Sequence, residues 1–209
     1  MTVFLLSPAY CGGRRAAIAL KPGSELPLAR KLADGQLDLG SAFSFFSGLY
    51  FRGKLAYARQ FGTASGLGIE PVLIITPTRG LMSPAELVTP GLIREFASVD
   101  VSQDDARYRA PLERDVATLA LRLPGRARVV LLGSVASGKY VDVLRPMLGD
   151  RLCYPTSFIG RGDMSRGGLL LRCVDSGEEL DYDVLTAGLR PRGSRPPKLD
   201  PATRPRFKV

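Results

Sequence analysis

Four short apolar runs limit what this chain can fold into: Val3–Leu6, Val72–Ile75, Arg128–Leu132 and Arg151–Tyr154. Each has the length of a buried strand and is shorter than a core helix. Stretches of helical character separate them, roughly 41–61, 90–97, 104–122 and 138–148. Strands alternating with helices at this spacing predict a parallel sheet covered by helices on both faces. Gly167–Val174 and Glu179–Leu185 alternate apolar and polar residues around Asp175-Ser176-Gly177, which predicts a late β-hairpin. The expected fold is therefore an α/β three-layer sandwich with a central, mostly parallel four-stranded sheet. Residues 1–187 form one domain, and 188–209 form a Pro- and Arg-rich tail.

Open parallel sheets bind ligands beyond the carboxyl ends of their strands, so the segment after each run matters most. The first is followed by Ser7-Pro8-Ala9-Tyr10-Cys11-Gly12-Gly13-Arg14-Arg15, the second by Thr76-Pro77-Thr78-Arg79-Gly80. The third is followed by Gly133-Ser134-Val135-Ala136-Ser137-Gly138-Lys139-Tyr140. The fourth runs from Pro155 through Ser157, Arg161, Asp163 and Ser165 to Arg166. All four combine Gly or Pro with a hydroxyl and a cation. Turn chemistry accounts for the glycines and prolines. It does not account for a cation in every loop, whereas phosphate recognition does. Gly133–Lys139 also matches the phosphate-loop spacing GxxxxGK, but Tyr140 replaces the hydroxyl residue that would bind Mg²⁺.

The helical stretch 41–61 carries Phe43, Phe46, Tyr50, Tyr57 and Phe61 at core-facing spacing. Arg52, Lys54 and Arg59 are expected mainly on its other faces. Gly48 and Gly53 weaken the helix, and a break near 47–53 would present Tyr50, Arg52 and Lys54 to a ligand.

The chain has no histidine. That excludes Ser-His-Asp and Cys-His catalysis, histidine bases and the commonest transition-metal ligand. Cys11, Cys153 and Cys173 are too far apart in sequence for a CxxC metal clip, and their odd number argues against a disulfide framework. No cofactor or metal is expected. No segment approaches the roughly 20 apolar residues of a membrane span, and Met1–Leu6 lacks the basic start of a signal peptide. A cytoplasmic protein without membrane contact, and a monomer, is the expectation. The net charge is +9, and seven cations from Arg190 to Lys208 face Asp200 alone. Such a tail cannot bury enough apolar surface to fold by itself and reads as a flexible arm for phosphates.

Three segments, VFLLSPAYCGGRR, SGLYFRGKLAYAR and VLIITPTRGLMSPAELV, occur in an order that resembles the uracil-DNA-glycosylase-like domains of archaeosine-type tRNA modification enzymes and small bacterial relatives. The resemblance covers about two thirds of the chain. It implies a base-excising glycosylase fold in which RVVLLG is the third strand and YPTSFIGRGDMSRGG the late loop. It places Ser7 to Cys11 in the first loop, and Tyr154, Ser157 and Arg161 near the late one. Two departures stand out. The first loop lacks the family's water-activating Asp, and Tyr154-Pro155 replaces His-Pro. A base other than uracil, or a bulkier one, is implied.

The expected activity is hydrolysis of the N-glycosidic bond of an abnormal or modified base flipped from DNA, in repair or in defence against foreign DNA. Asp163 is the expected catalytic carboxylate, since an oxocarbenium-like sugar needs a nearby negative charge; it equally fits an ion pair with Arg161 or Arg166. Substrate contacts are expected from Ser7, Pro8, Tyr10, Cys11, Tyr50, Thr78, Ser134, Tyr154 and Ser157. DNA contacts are expected from Arg14, Arg15, Arg52, Lys54, Arg79, Lys139, Arg161, Ser165 and Arg166. A lysine route through Lys139 or Lys54, forming a Schiff base with the sugar, stays open. Two further readings also remain: a nucleotide-binding enzyme using Gly133–Lys139, and a non-catalytic nucleic-acid-binding protein.

Overall fold

The computed structural model describes residues 1–63, 68–186, 188 and 191–201. In chain order the elements are β1 (Thr2–Leu6), α1 (Arg14–Ala19), α2 (Pro27–Ala33), β2 (Leu37–Asp38), α3 (Leu39–Ser47), α4 (Leu49–Phe61), β3 (Val72–Ile75), β4 (Leu81–Met82) and β5 (Leu87–Val88). Then follow α5 (Pro90–Ala97), α6 (Ala106–Arg122), β6 (Arg128–Leu132), α7 (Gly138–Leu148), β7 (Leu152–Pro155), α8 (Asp163–Ser176) and β8 (Tyr182–Val184). The main sheet has the order β4-β3-β1-β6-β7-β8. Its four inner strands are mutually parallel; β4 and β8 are antiparallel edges. The sheet is thus six-stranded, not four-stranded: β4 is too short to show as an apolar run, and β8, expected as part of a hairpin, joins the main sheet beside β7.

Strand alternation explains the two cores. Phe4 and Leu6 of β1 point into one, with α1 to α5 and α8; Val3 and Leu5 point into the other, with α6 and α7. A strand buried on both faces must be apolar throughout, as β1 and β6 nearly are. No helix among the described residues is long and apolar enough to cross a membrane.

The expected hairpin is absent. Gly167–Val174 lies inside α8, where Gly167, Leu170, Leu171 and Cys173 form the buried face. The consecutive leucines 169–171 left the period ambiguous. Gly177, taken for a hairpin turn, is the left-handed C-cap of that helix (φ 73°), its N–H bonded to the Cys173 carbonyl. The second half of the expected hairpin is instead β8, paired with β7.

The aromatic stretch 41–61 breaks at Gly48 (φ 63°) into α3 and α4. Helices α4 and α8 then cross at two glycines. A Cβ on Gly53 would lie 2.7 Å from the Gly167 carbonyl oxygen, and one on Gly167 would lie 2.8 Å from the Tyr50 Cα. Both obstacles are backbone, which cannot rotate away. Gly167→Ala is therefore expected to lower stability by about 2 kcal/mol, measured by urea denaturation, despite alanine's better helix propensity. Beyond β8 the chain returns to α8 and the loop before it: Arg172 of α8 donates from Nη2 to the Asp200 carbonyl (2.8 Å), and Arg161 of the loop from Nη1 to that of Pro197 (3.5 Å).

Candidate active site

The helices after β1 pack on the face of Phe4 and Leu6, whereas α7, after β6, packs on the opposite face. Since β1 and β6 are neighbours, their following loops part in opposite directions. The carboxyl edge between them is a topological switch point, where open α/β sheets take ligands. A cleft of about 340 Å³ lies there, lined by Pro8, Tyr10, Cys11, Pro77, Phe96, Val99, Asp100, Lys139 and Tyr140, among others. Three of the four strand-ending loops contribute to it. Tyr10 is 73 % exposed, a rim aromatic on which a base can stack.

Beneath the cleft lies a buried polar cluster. Ser7 is the first residue after β1, and its Oγ donates to the Leu132 carbonyl (3.2 Å). Lys54, only 1 % exposed, donates from Nζ to the Ser7 carbonyl (2.5 Å) and to Ser7 Oγ (2.8 Å). Its ammonium also sits over the rings of Tyr50 (4.5 Å) and Phe51 (4.8 Å). Burial pulls the Lys54 pKa down to about 7; Asp163 works against that, while Arg166 and Lys139 add to it. The hydroxyl of Tyr50 is buried and makes no hydrogen bond that satisfies it. Burial pushes this phenol up to about 12, with Arg166 drawing it down. Tyr140 stands against the Ser7 side chain, its phenol raised chiefly by burial.

The fourth loop, which carries Ser157, Arg161, Asp163, Ser165 and Arg166, contributes no residue to the lining of this cleft. Asp163 opens α8 with its side chain 71 % exposed, and Arg166, 13 % exposed, holds it at 3.7 Å. Arg166 also donates through Nε and Nη2 to the Phe158 carbonyl and lies over the Phe158 ring. Arg161 is fixed by the Ser157 carbonyl (3.0 Å) and Ser165 Oγ (3.1 Å). Ser157 Oγ is buried and makes no hydrogen bond with the described residues. The charge of Asp163 acts on Tyr50, Lys54 and Tyr140 alike.

Several expected site residues stand elsewhere or act differently. Lys54 cannot contact a phosphate, nor form a Schiff base in this arrangement, because its ammonium is enclosed. The error was its face: Lys54 lies four residues after Tyr50 and three before Tyr57, on the buried stripe itself. Tyr154 is not at the cleft; strand alternation turns it into the core beneath α6 and α7. Tyr50 is buried below the site, so the helix break does not present it to solvent. Arg79 is held by Glu95 at 2.6 and 2.9 Å, and Thr78 donates to the same carboxylate at 2.5 Å. Both brace the second loop, and Arg79 brings no uncompensated charge to the rim. Burial lifts the Cys11 thiol to about 12, leaving it a lining group without nucleophilic character.

Arg14, Arg15 and Arg52 are exposed, with Arg15 also donating to the Phe45 carbonyl (3.2 Å). Lys139, Ser134 and Pro8 are half-buried. Sequence reasoning missed Asp100 and Phe96 as cleft residues. Neither follows an apolar run directly, so no strand-end signal marks them. No protein-family model matches the chain, and neither a curated protein nor a solved structure shows significant similarity to it.

Proposed function

We propose that this protein hydrolyses the N-glycosidic bond of an abnormal or modified base in nucleic acid, DNA being the first candidate. The observation that carries the reading is the cleft at the β1/β6 switch point. It combines an exposed aromatic, apolar walls and Lys139, while an exposed carboxylate, Asp163, stands on the fourth loop outside the lining. A flipped base enters between Pro77, Phe96 and Val99 and stacks on Tyr10. Arg14, Arg15, Arg52, Lys139 and Arg161 offer charges to the phosphates on either side.

Cleavage breaks the bond between the sugar C1′ and the base nitrogen, and the electron pair leaves with the base. Asp163 offsets the positive charge that builds on the sugar and orients a water towards C1′. That water adds its oxygen to the sugar, and its proton is finally carried by the released base. Lys139 and Arg166 stabilise the negative charge developing on the base. No histidine is needed for any step. The resemblance of the first three segments to uracil-DNA-glycosylase-like domains points the same way. Nucleotide turnover through Gly133–Lys139 is less well supported, because Tyr140 fills the metal-ligand position and leans on Ser7.

The test is a panel of single- and double-stranded oligonucleotides carrying uracil, deaminated, alkylated and hypermodified bases, with released base detected by mass spectrometry. Release from at least one class is expected. Binding without release from any of them would leave a non-catalytic nucleic-acid-binding protein.

A further inference from the structure

We infer that Lys54 is a positioning residue that acts on the cleft through Ser7, setting the hydrogen-bonding state of Tyr140 in the cleft wall. This rests on the cleft being the ligand site proposed above. Three separate connections supply the three residues: Lys54 from mid-α4, Ser7 from the end of β1 and Tyr140 from the first turn of α7. They meet at the switch point, where a Cβ on Gly133 would already lie 3.1 Å from that of Ser7. All three are buried, and Tyr140 is the one that also lines the cleft.

The enclosure is what makes the coupling specific. Lys54 has its two hydrogen bonds to the two oxygens of one residue, Ser7. As an ammonium it can only donate. Ser7 Oγ must then accept from Nζ and direct its own proton to the Leu132 carbonyl. As a neutral amine, Nζ offers a lone pair that competes for the Ser7 proton. Either change is felt by the Tyr140 phenol beside it. In a low-dielectric interior such a rearrangement is not averaged out by water. The Tyr50 and Phe51 rings of its own helix lie against Lys54, and the charges that act on it are Asp163 and Arg166 from α8 and Lys139 from α7. Asp163 favours the ammonium; Arg166 and Lys139 oppose it.

The experiment is NMR on the intact chain labelled with 13C at the tyrosine ring and the lysine ε-carbon. In the wild type the Tyr140 resonance is expected to move with a midpoint near that of Lys54, at about 7. In Lys54→Met the Tyr140 titration should vanish while the backbone amide spectrum stays folded. Ser7→Ala is the second arm, should Lys54→Met fail to fold. There Lys54 should still titrate and Tyr140 should not follow it. A Tyr140 resonance that is flat in the wild type, or that keeps its midpoint in the variants, overturns the inference.

Activity supplies a separate readout. On a substrate that yields free base, Lys54→Met is expected to lower kcat about tenfold, leave KM within twofold and erase the pH dependence near 7. If no substrate yields free base, the hydrolase reading fails while the resonances still decide the relay.

Discussion

Asp163→Asn is expected to reduce base release by about a thousandfold while changing oligonucleotide affinity by less than threefold. The substitution keeps the shape of the side chain and its position at the start of α8, so the fold has no reason to change. What it removes is the negative charge facing a sugar that becomes cationic as the base departs. The carboxylate is exposed and its contact with Arg166 is long, at 3.7 Å, while Arg166 keeps its bonds to the Phe158 carbonyl without it. Ground-state binding, which depends on the arginines and on stacking, should therefore survive. Single-turnover release and a fluorescence-anisotropy titration on the same oligonucleotide separate the two quantities. Release that persists at wild-type rate would exclude Asp163 as the group that stabilises the sugar cation. Asp100, the carboxylate in the cleft lining, would then be the next to replace.

Stability measured against Lys54→Met should rise with pH across the neutral to alkaline range. Lys54 carries a pKa of about 7 in the folded protein, against an ordinary value of 10.5. Between those values the unfolded chain binds a proton that the folded chain does not. Stability then increases with pH. Below about pH 7 both states are protonated, and the full cost of burying the ammonium is present. Moving from pH 6 to pH 9 should favour the wild type over Lys54→Met by about 3 kcal/mol. Urea denaturation of both proteins at the two pH values gives the difference directly, with all other titrations common to both. A constant difference would mean that Lys54 is hydrated or paired in solution. At low pH the methionine variant, which buries no charge, should be the more stable if packing compensates for the donor lost to Ser7.

How far the sequence reached can be judged at individual residues. The inner strands Val72–Ile75 and Arg128–Leu132 coincide with the expected runs, because a strand buried on both faces leaves an unbroken apolar signature. Helices α5 and α7 also begin and end where their periodicity placed them. Edge strand β4 was missed, since two residues leave no such signature, whereas β8 was expected within Glu179–Leu185 but as half of a hairpin, not as an edge paired with β7. Helix α8 was misread because its glycines and consecutive leucines fit either period. What its glycine at 167 serves, the close approach to Gly53 of α4, is a contact that no local rule contains.

By itself, then, the sequence determined that a parallel α/β sheet would form and that its cationic, glycine-bearing turns would share one edge. Period and turn chemistry are local properties, and they sufficed for both. Tertiary structure alone decided which face each helix covers, and therefore that the cleft opens between β1 and β6. It also decided that Lys54 is sealed against Ser7 while Asp163 stays in solvent. Both are charged residues with the same local preference for water, and only the crossing of α4 over α8 distinguishes their surroundings.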